Sequence, residues 1–317
     1  MKDIHKPAPK QGVNPCVVQI PPRRGGVPVH NIVDFLCERL PLVSRAQWLA
    51  RLAAGGVLNA QGRPVAAQDP CPPGSWLWYW REVDEEPDIP FEAPVLFRDE
   101  HLVVADKPHF LPMTPKGRYA RHTLLARLQA TLGLDTLVPI HRLDRETAGV
   151  VVLCVRPQDR AAYQQLFRQR QVRKVYEAMA PWRSGCPWPQ ERHSRIVESP
   201  THFMQRVEAP GEPNAHTTIE LLAHDTHWGH YRLHPHTGQT HQLRVHMNAL
   251  GLPLCGDRIY PLLQPEPPAG AAPDFSTPLQ LLARRIEFTD PITGQVRTFS
   301  SQRTLQSFSD LYTVYTL

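Results

Sequence analysis

One segment of the chain sets an acid among arginines. In His141-Arg142-Leu143-Asp144-Arg145-Glu146-Thr147-Ala148-Gly149-Val150, Asp144 lies between two guanidinium groups, just before an apolar run. A carboxylate at the mouth of a buried strand can serve as a nucleophile or a base, and nearby cations favour its charged form against the cost of burial. Two further segments hold groups of the same kind. Lys174 and Tyr176 stand two residues apart, so on a strand their side chains share a face. His241, Arg244 and Asn248 recur at offsets of three and four, which on a helix places them on one side. Each has a plainer reading alone: a structural ion pair, a core tyrosine, a surface arginine. Their occurrence together is what points to chemistry.

The elements that must position these groups follow from periodicity. "VLFRDEHLVVADKP" predicts two strands about a tight turn at Asp99-Glu100, and "TLLARLQATLG" a helix closed by a glycine. "GVVVLCV" reads as a buried strand directly after the Asp144 segment, and "DRAAYQQLFRQRQ" as an amphipathic helix capped by Asp159. "VRKVYEAMA" predicts the strand bearing Lys174 and Tyr176; "TTIELLAHD" and "WGHYRLHP" predict another pair. "TGQTHQLRVHMNALG" predicts a helix from a Thr cap to Gly251, with Leu243, Met247 and Leu250 as its apolar stripe. "LARRIEFTDPITGQVRTFS" closes the chain with a hairpin around Pro291–Gly294. Strands and helices mix without regular βαβ alternation, which predicts an α+β domain with a mixed, largely antiparallel central sheet and flanking helices.

Ahead of this domain, residues 1–26 are rich in Pro, Lys and Arg and predict a flexible basic arm, with a short extended piece at Val17 to Ile20. Residues 27–81 predict a small unit of two helices and a hairpin, the second helix capped by Ser44, and residues 82–94 an acidic, Pro-punctuated linker. The main domain is then 95–317. The Pro-rich stretch 264–277 predicts a disordered excursion.

Composition bounds the function. The 317 residues carry a net charge of +5, and the segment from Arg142 to Lys174 alone holds eight Arg/Lys against three acids, a surplus equal to that of the whole chain. That favours an anionic partner, with Arg145, Arg168, Arg170 and Arg173 as candidate phosphate contacts; a solvated helix face is the alternative for each. The six cysteines are scattered without a C-x-x-C pair, which suggests neither a zinc site nor a disulfide framework. No apolar stretch reaches the length of a membrane span and no signal-peptide core begins the chain. An intracellular, cytoplasmic protein with reduced thiols is expected.

The stretches "HRLDRETAGVVVL", "RKVYEAMA" and "HTGQTHQLRVHMNALGLPLCGDRIY" resemble the three signature segments of the RluA-type RNA pseudouridine synthases, and the likeness runs on through "LVVADKPHFLPMTP" and "LQLLARRIEF", over roughly residues 94–300. The 27–81 unit, with "FLCERLPLVSRAQWLARLAAGGVLNAQGRPV", is similar to the small RNA-binding module, named for a small-subunit ribosomal protein, that often precedes such enzymes. Trp48 and the sparse lysines depart from that module's basic helix, and a scaffolding role is the alternative. In the main domain Ala148 stands where Ser is common, Gln239 where Arg is usual, and Leu282 where His is frequent.

The resemblance implies the pseudouridine synthase fold and isomerisation of uridine to pseudouridine in ribosomal or transfer RNA, without metal or cofactor, by a chain expected to be monomeric. It assigns Asp144 as the catalytic carboxylate, Arg244 as its ion-pair partner and Tyr176 as the active-site tyrosine. Arg142 matches a residue that enters the space left by the flipped base, and Lys174 and His241 are further candidate RNA contacts. The rival reading is a non-catalytic RNA-binding protein on the same fold. A hydrolase using Asp144 with a histidine lacks both metal-ligand spacing and a Ser/Cys nucleophile elbow.

Overall fold

The computed structural model describes residues 6–21, 31–82, 86–265 and 271–315. It divides into two units. The first gathers residues up to Glu86 with Pro115–Arg121 and Ala126–Asp135; the second holds Pro87–Thr114, His122–Leu125 and everything from Thr136. The boundary at Glu86 falls within the expected linker, of which residues 83–85 lie outside the described residues.

The first unit runs β1 (Pro15–Gln19), α1 (Ile32–Arg39), α2 (Arg45–Ala53), β2 (Val57–Asn59) and β3 (Trp76–Trp80), with the sheet in the order β1-β3-β2. α2 starts on a capping box in which the Ser44 hydroxyl accepts from the Gln47 backbone N–H and the Gln47 side chain accepts from that of Ser44. Val33, Phe35, Leu36, Trp48, Leu52 and Leu77 close its core. The expected arm, with its short extended piece at Val17 to Ile20, contributes to this sheet. Part of it is β1, which pairs antiparallel with β3 because alternation along Cys16, Val17 and Val18 buries Val18 against α1 and α2. Residues 1–5 and 22–30 lie outside the described residues.

The second unit is built on one large mixed sheet. Its elements are β4 (Val95–Arg98), β5 (Leu102–Lys107), α3 (Leu124–Leu132, shared with the first unit), β6 (Val138–Pro139), β7 (Ala148–Cys154), α4 (Arg160–Arg168) and β8 (Arg173–Pro181). These are followed by β9 (Gln190–Glu198), β10 (Arg206–Ala209), β11 (Ala215–His224), β12 (Trp228–Pro235), α5 (Gln242–Ala249), β13 (Leu281–Thr289), β14 (Val296–Ser300) and α6 (Phe308–Val314). The strand order is β10-β9-β11-β12-β8-β13-β7-β5-β4, with β14 on β13 and β6 on β7. Among the described strands only β13 and β7 pair in parallel; the α+β reading with a largely antiparallel sheet holds.

Two cores position the site. α4 places Tyr163 and Leu166 on Leu102, Val104, Val150, Val152 and Ile286, while α5 places Leu243 and Met247 on Ala178, Ile219, Tyr231, Leu233 and Leu281. β13 lies between β7 and β8 and joins the two. The contact with β7 needs Gly149, whose φ is +115° and whose added Cβ would meet the Ala283 carbonyl oxygen at 2.3 Å.

Two expectations shift in detail. Asp159 stands at the start of α4 but does not cap it; its carboxylate bonds the His101 ring at 2.8 Å instead. Within the Pro-rich stretch, Asp274 pairs with Arg258 and Phe275 packs on Phe91 and Phe110; residues 266–270 lie outside the described residues.

Candidate active site

Asp144 lies on the irregular segment between β6 and β7, and the surrounding core fixes that segment from several sides. His141 stacks on Phe167 at 5.1 Å, and its Nε2 accepts from the Val152 N–H at 3.1 Å. Leu143 is buried, and the Thr147 N–H donates to the Asp144 carbonyl at 3.2 Å. From the end of β5, Lys107 reaches the same segment while fully buried. Its Nζ donates to the carbonyls of Pro108 (2.9 Å), Leu111 (2.8 Å) and Arg145 (2.9 Å). An ammonium has three donors and no acceptor, so three converging carbonyls suit it. Burial pushes Lys107 down to about 7, with Glu146 and Asp144 opposing.

Lys107→Met should leave three buried carbonyls without a donor, at a cost on the order of 3 kcal/mol. The denaturant midpoint should fall, and the loop carrying Asp144 should lose its anchor. An unchanged midpoint would contradict the anchoring role.

Two histidines packed on this framework, His109 and His141, and a third on α5, His246, are held neutral. Burial pushes His141 down to about 3 and His109 and His246 to about 4, against an ordinary value of 6.5. As pH falls below that ordinary value, the unfolded chain takes up protons that the folded chain refuses, so stability is lost on the way down. His101, raised by its bond to Asp159, acts in the opposite sense, but burial also lowers His236 and His241, which join the other three. Thermal midpoints measured between about pH 7 and pH 4 should therefore decline with acidity; a flat profile would sink this account.

α5 supplies the cation. Arg244 is 2% exposed, and its Nε and Nη2 grip both oxygens of the fully buried Asp257 at 2.8 and 2.6 Å. Its remaining nitrogen, Nη1, reaches Asp144 Oδ2 at 3.3 Å, where the carboxylate is 31% exposed. Burial works against the Arg244 cation, but Asp257 and then Asp144 outweigh it and hold the guanidinium above its already high range. Tyr260 lies under Arg244, 5.4 Å from ring centre to guanidinium carbon. Asp257 also accepts the backbone N–H groups of Ile259 and Tyr260, so one carboxylate orients both the arginine and the aromatic ring.

Tyr176 stands on β8, opposite Leu233 of β12 and Ala283 of β13, against the α5 core. Burial and then the charge of Asp144 push its hydroxyl above the ordinary phenol range. Asp144, Arg244 and Tyr176 thus share one environment, made of a carboxylate, a cation it shares with Asp257, and a neutral aromatic.

The expected helix from Thr237 to Gly251 is corrected. α5 begins at Gln242, and His241, expected on its polar face, is the residue before it with φ of 57°. Thr237 instead donates to Gln242 Oε1 at 2.6 Å. His241 bonds Tyr260 through Nδ1 at 3.1 Å and lies 3.8 Å from Asp144 through Nε2, so it lines the carboxylate. Nor does α5 carry a solvent face at Arg244, since Gln242 through Met247 are all buried. Lys174 is also turned inward: its Nζ donates to the Thr237 carbonyl at 3.0 Å, and burial pushes it down to about 8.

Arg142, Arg145, Arg168, Arg170 and Arg173 are exposed. Arg145 pairs with Glu146 at 2.6 Å. Arg168 ends α4, Arg170 follows in the turn, and Arg173 opens β8, the strand that carries Tyr176. Reasoning from the chain alone missed Lys107, Asp257 and Tyr260. Lys107 had a visible signal, a cation in the apolar run "LVVADKP". Asp257 and Tyr260 had none beyond a turn-forming Gly-Asp pair.

A model of the RNA pseudouridylate synthase family matches residues 101–249. The chain is 32% identical over 234 residues to an uncharacterized RNA pseudouridine synthase of Synechocystis, covering 72% of this chain and 79% of that one. It is 34% identical over 215 residues to the dual-specificity RNA pseudouridine synthase RluA of Escherichia coli K12, covering 65% and 91%. The chain belongs to the RluA-type RNA pseudouridine synthases. Among solved structures, the human RNA pseudouridylate synthase domain containing 4 is 27% identical, with a TM-score of 0.53 over 69% of this chain and 92% of that one. In this RluA-type synthase the family match holds Asp144, Tyr176, His241 and Arg244 and ends before Asp257 and Tyr260, which complete the surroundings of the arginine. Among the described residues, no helix is long and apolar enough to cross a membrane.

Proposed function

We propose that this chain isomerises uridine to pseudouridine in ribosomal or transfer RNA, with Asp144 as the catalytic carboxylate. The observation that carries the reading is the pairing of Asp144 with Arg244 at 3.3 Å beside Tyr176. A guanidinium already fixed by a second carboxylate is preorganised, so it faces the Asp144 carboxylate without having to move. Asp144 either attacks the anomeric carbon or removes the neighbouring ribose proton; both use the ionised form. A recessed carboxylate is out of reach of a stacked nucleotide, so the target is flipped, at a cost of a few kcal/mol. Arg142, exposed two residues before Asp144, would fill the vacated stack, and Arg145, Arg168, Arg170 and Arg173 would meet phosphates.

Tyr176 supplies an aromatic wall for the uracil. Its hydroxyl is kept protonated partly by the charge on Asp144. When that charge is consumed by bonding to the sugar or by taking a proton, the hydroxyl becomes easier to ionise, at the stage when a proton must leave the newly bonded carbon. We assign the first unit to RNA positioning or scaffolding, and the working form to a cytoplasmic monomer, since one chain carries both Asp144 and Arg244.

Incubating the purified chain with unmodified ribosomal and transfer RNA and mapping pseudouridine by chemical labelling tests the reading. Conversion of specific uridines is expected. Binding of these RNAs with every uridine unchanged would favour the rival, a non-catalytic RNA-binding role.

A further inference from the structure

The sheet face turned away from α5 carries a cluster that the reaction does not use. β9 contributes Glu191 and His193, β11 contributes His216 and Thr218, and His236 follows the end of β12. The register makes the cluster: His193 faces His216 and Glu191 faces Thr218 across the β9–β11 pair, so Glu191 lies diagonally across from His216. Such positions are held at short range by the backbone ladder itself. The His216 Nε2 lies 2.5 Å from Glu191 Oε2, the rings of His193 and His216 are 3.8 Å apart, and one ligand atom from each of Glu191, His193 and His216 falls within 4.8 Å of the others.

Two imidazoles and a carboxylate are the donor set of an open, zinc-type site, with nitrogen and oxygen each about 2.0–2.2 Å from the ion and water in the remaining positions. The paired strand backbones place the three groups on one face, within side-chain reach of one another. The surrounding contacts are those that orient ligands. Thr218 Oγ1 donates to Glu191 Oε1 at 2.7 Å, and His236 stacks on His216 at 4.1 Å, limiting rotation of that ring. Glu191 and His193 are exposed and His216 partly so, which leaves an ion access from solvent.

We propose that Glu191, His193 and His216 form a binding site for a divalent transition-metal ion of the zinc class. The spacing in sequence conceals it, because two ligands come from one strand and the third from another more than twenty residues on. The site is separate from Asp144, although His216 donates its backbone N–H to Thr237 Oγ1, on the loop that leads into α5. A bound ion would tie β9 to β11.

The test is titration of the full, tag-free chain with zinc chloride by calorimetry, and with cobalt(II) followed by visible absorption. One equivalent of zinc is expected to bind, with a cobalt spectrum of mixed nitrogen and oxygen coordination. His216→Ala and Glu191→Gln should each weaken binding at least about tenfold, while His202→Ala, an exposed histidine elsewhere, should not. Should His216→Ala misfold by circular dichroism, the exposed Glu191→Gln decides. Absence of stoichiometric uptake, or equal affinity in the wild type and these variants, would overturn the proposal. The readout is metal occupancy, so it stands or falls independently of pseudouridine formation.

Discussion

Asp144→Asn is expected to abolish pseudouridine formation while leaving the protein folded and bound to RNA. The amide has the shape of the acid but can neither attack the sugar carbon nor take a ribose proton. Loss of such a group lowers turnover by roughly four orders of magnitude or more. The fold should survive because Arg244 keeps its two-point grip on Asp257, and the introduced amide still offers a carbonyl oxygen to Nη1. A change in stability within about 1 kcal/mol is expected. RNA affinity should stay within a few-fold, since the exposed arginines meant to meet phosphates are untouched. Turnover and affinity measured on the same transcript check both halves. Normal turnover in this variant would remove Asp144 from its role.

Arg244→Met is expected to damage stability and turnover together. Asp257 is 0% exposed and depends on Arg244 for its charge partner, so deleting the guanidinium leaves a buried, uncompensated carboxylate, which costs about 3–5 kcal/mol. Arg244→Lys separates the two effects. A single ammonium can neutralise Asp257, so much of the stability should return. It cannot hold Asp257 at two points and still reach Asp144, so turnover should remain low. Denaturation midpoints and initial rates across the three proteins distinguish these outcomes. If Arg244→Met kept both its midpoint and its rate, the shared-cation account would be wrong.

How much of this was legible beforehand depends on where the signal resides. The Asp144 segment stood out because charge and apolarity change abruptly within a few residues. The strand carrying Tyr176 was readable by alternation, and the stripe Leu243, Met247 and Leu250 disclosed the helix of Arg244. Its start was hidden, since the left-handed backbone of His241 and the Thr237–Gln242 bond are local choices made by tertiary contacts. β9 went unread because Gln190–Glu198 is polar almost throughout; its pairing with β11, rather than an apolar face, makes it a strand. Asp257 was opaque for a different reason. A lone acid after a glycine specifies a turn, and only the folded chain shows that an arginine arrives to meet it. The resemblance to a known family reached Asp144, Tyr176 and Arg244 and was silent on Lys107 and Asp257, the groups that hold them in place.

The place of β13 in the sheet has a consequence for how the enzyme is born. Asp144 belongs to the half of the sheet made by β4, β5 and β7, whereas Tyr176 and Arg244 belong to the half around β8, β12 and α5. The strand that bridges them, Leu281–Thr289, follows both halves in the chain. A nascent chain stopped short of it can build either half but has no hydrogen-bonded ladder uniting acid with cation, so competence to modify RNA should arise only once that strand has emerged.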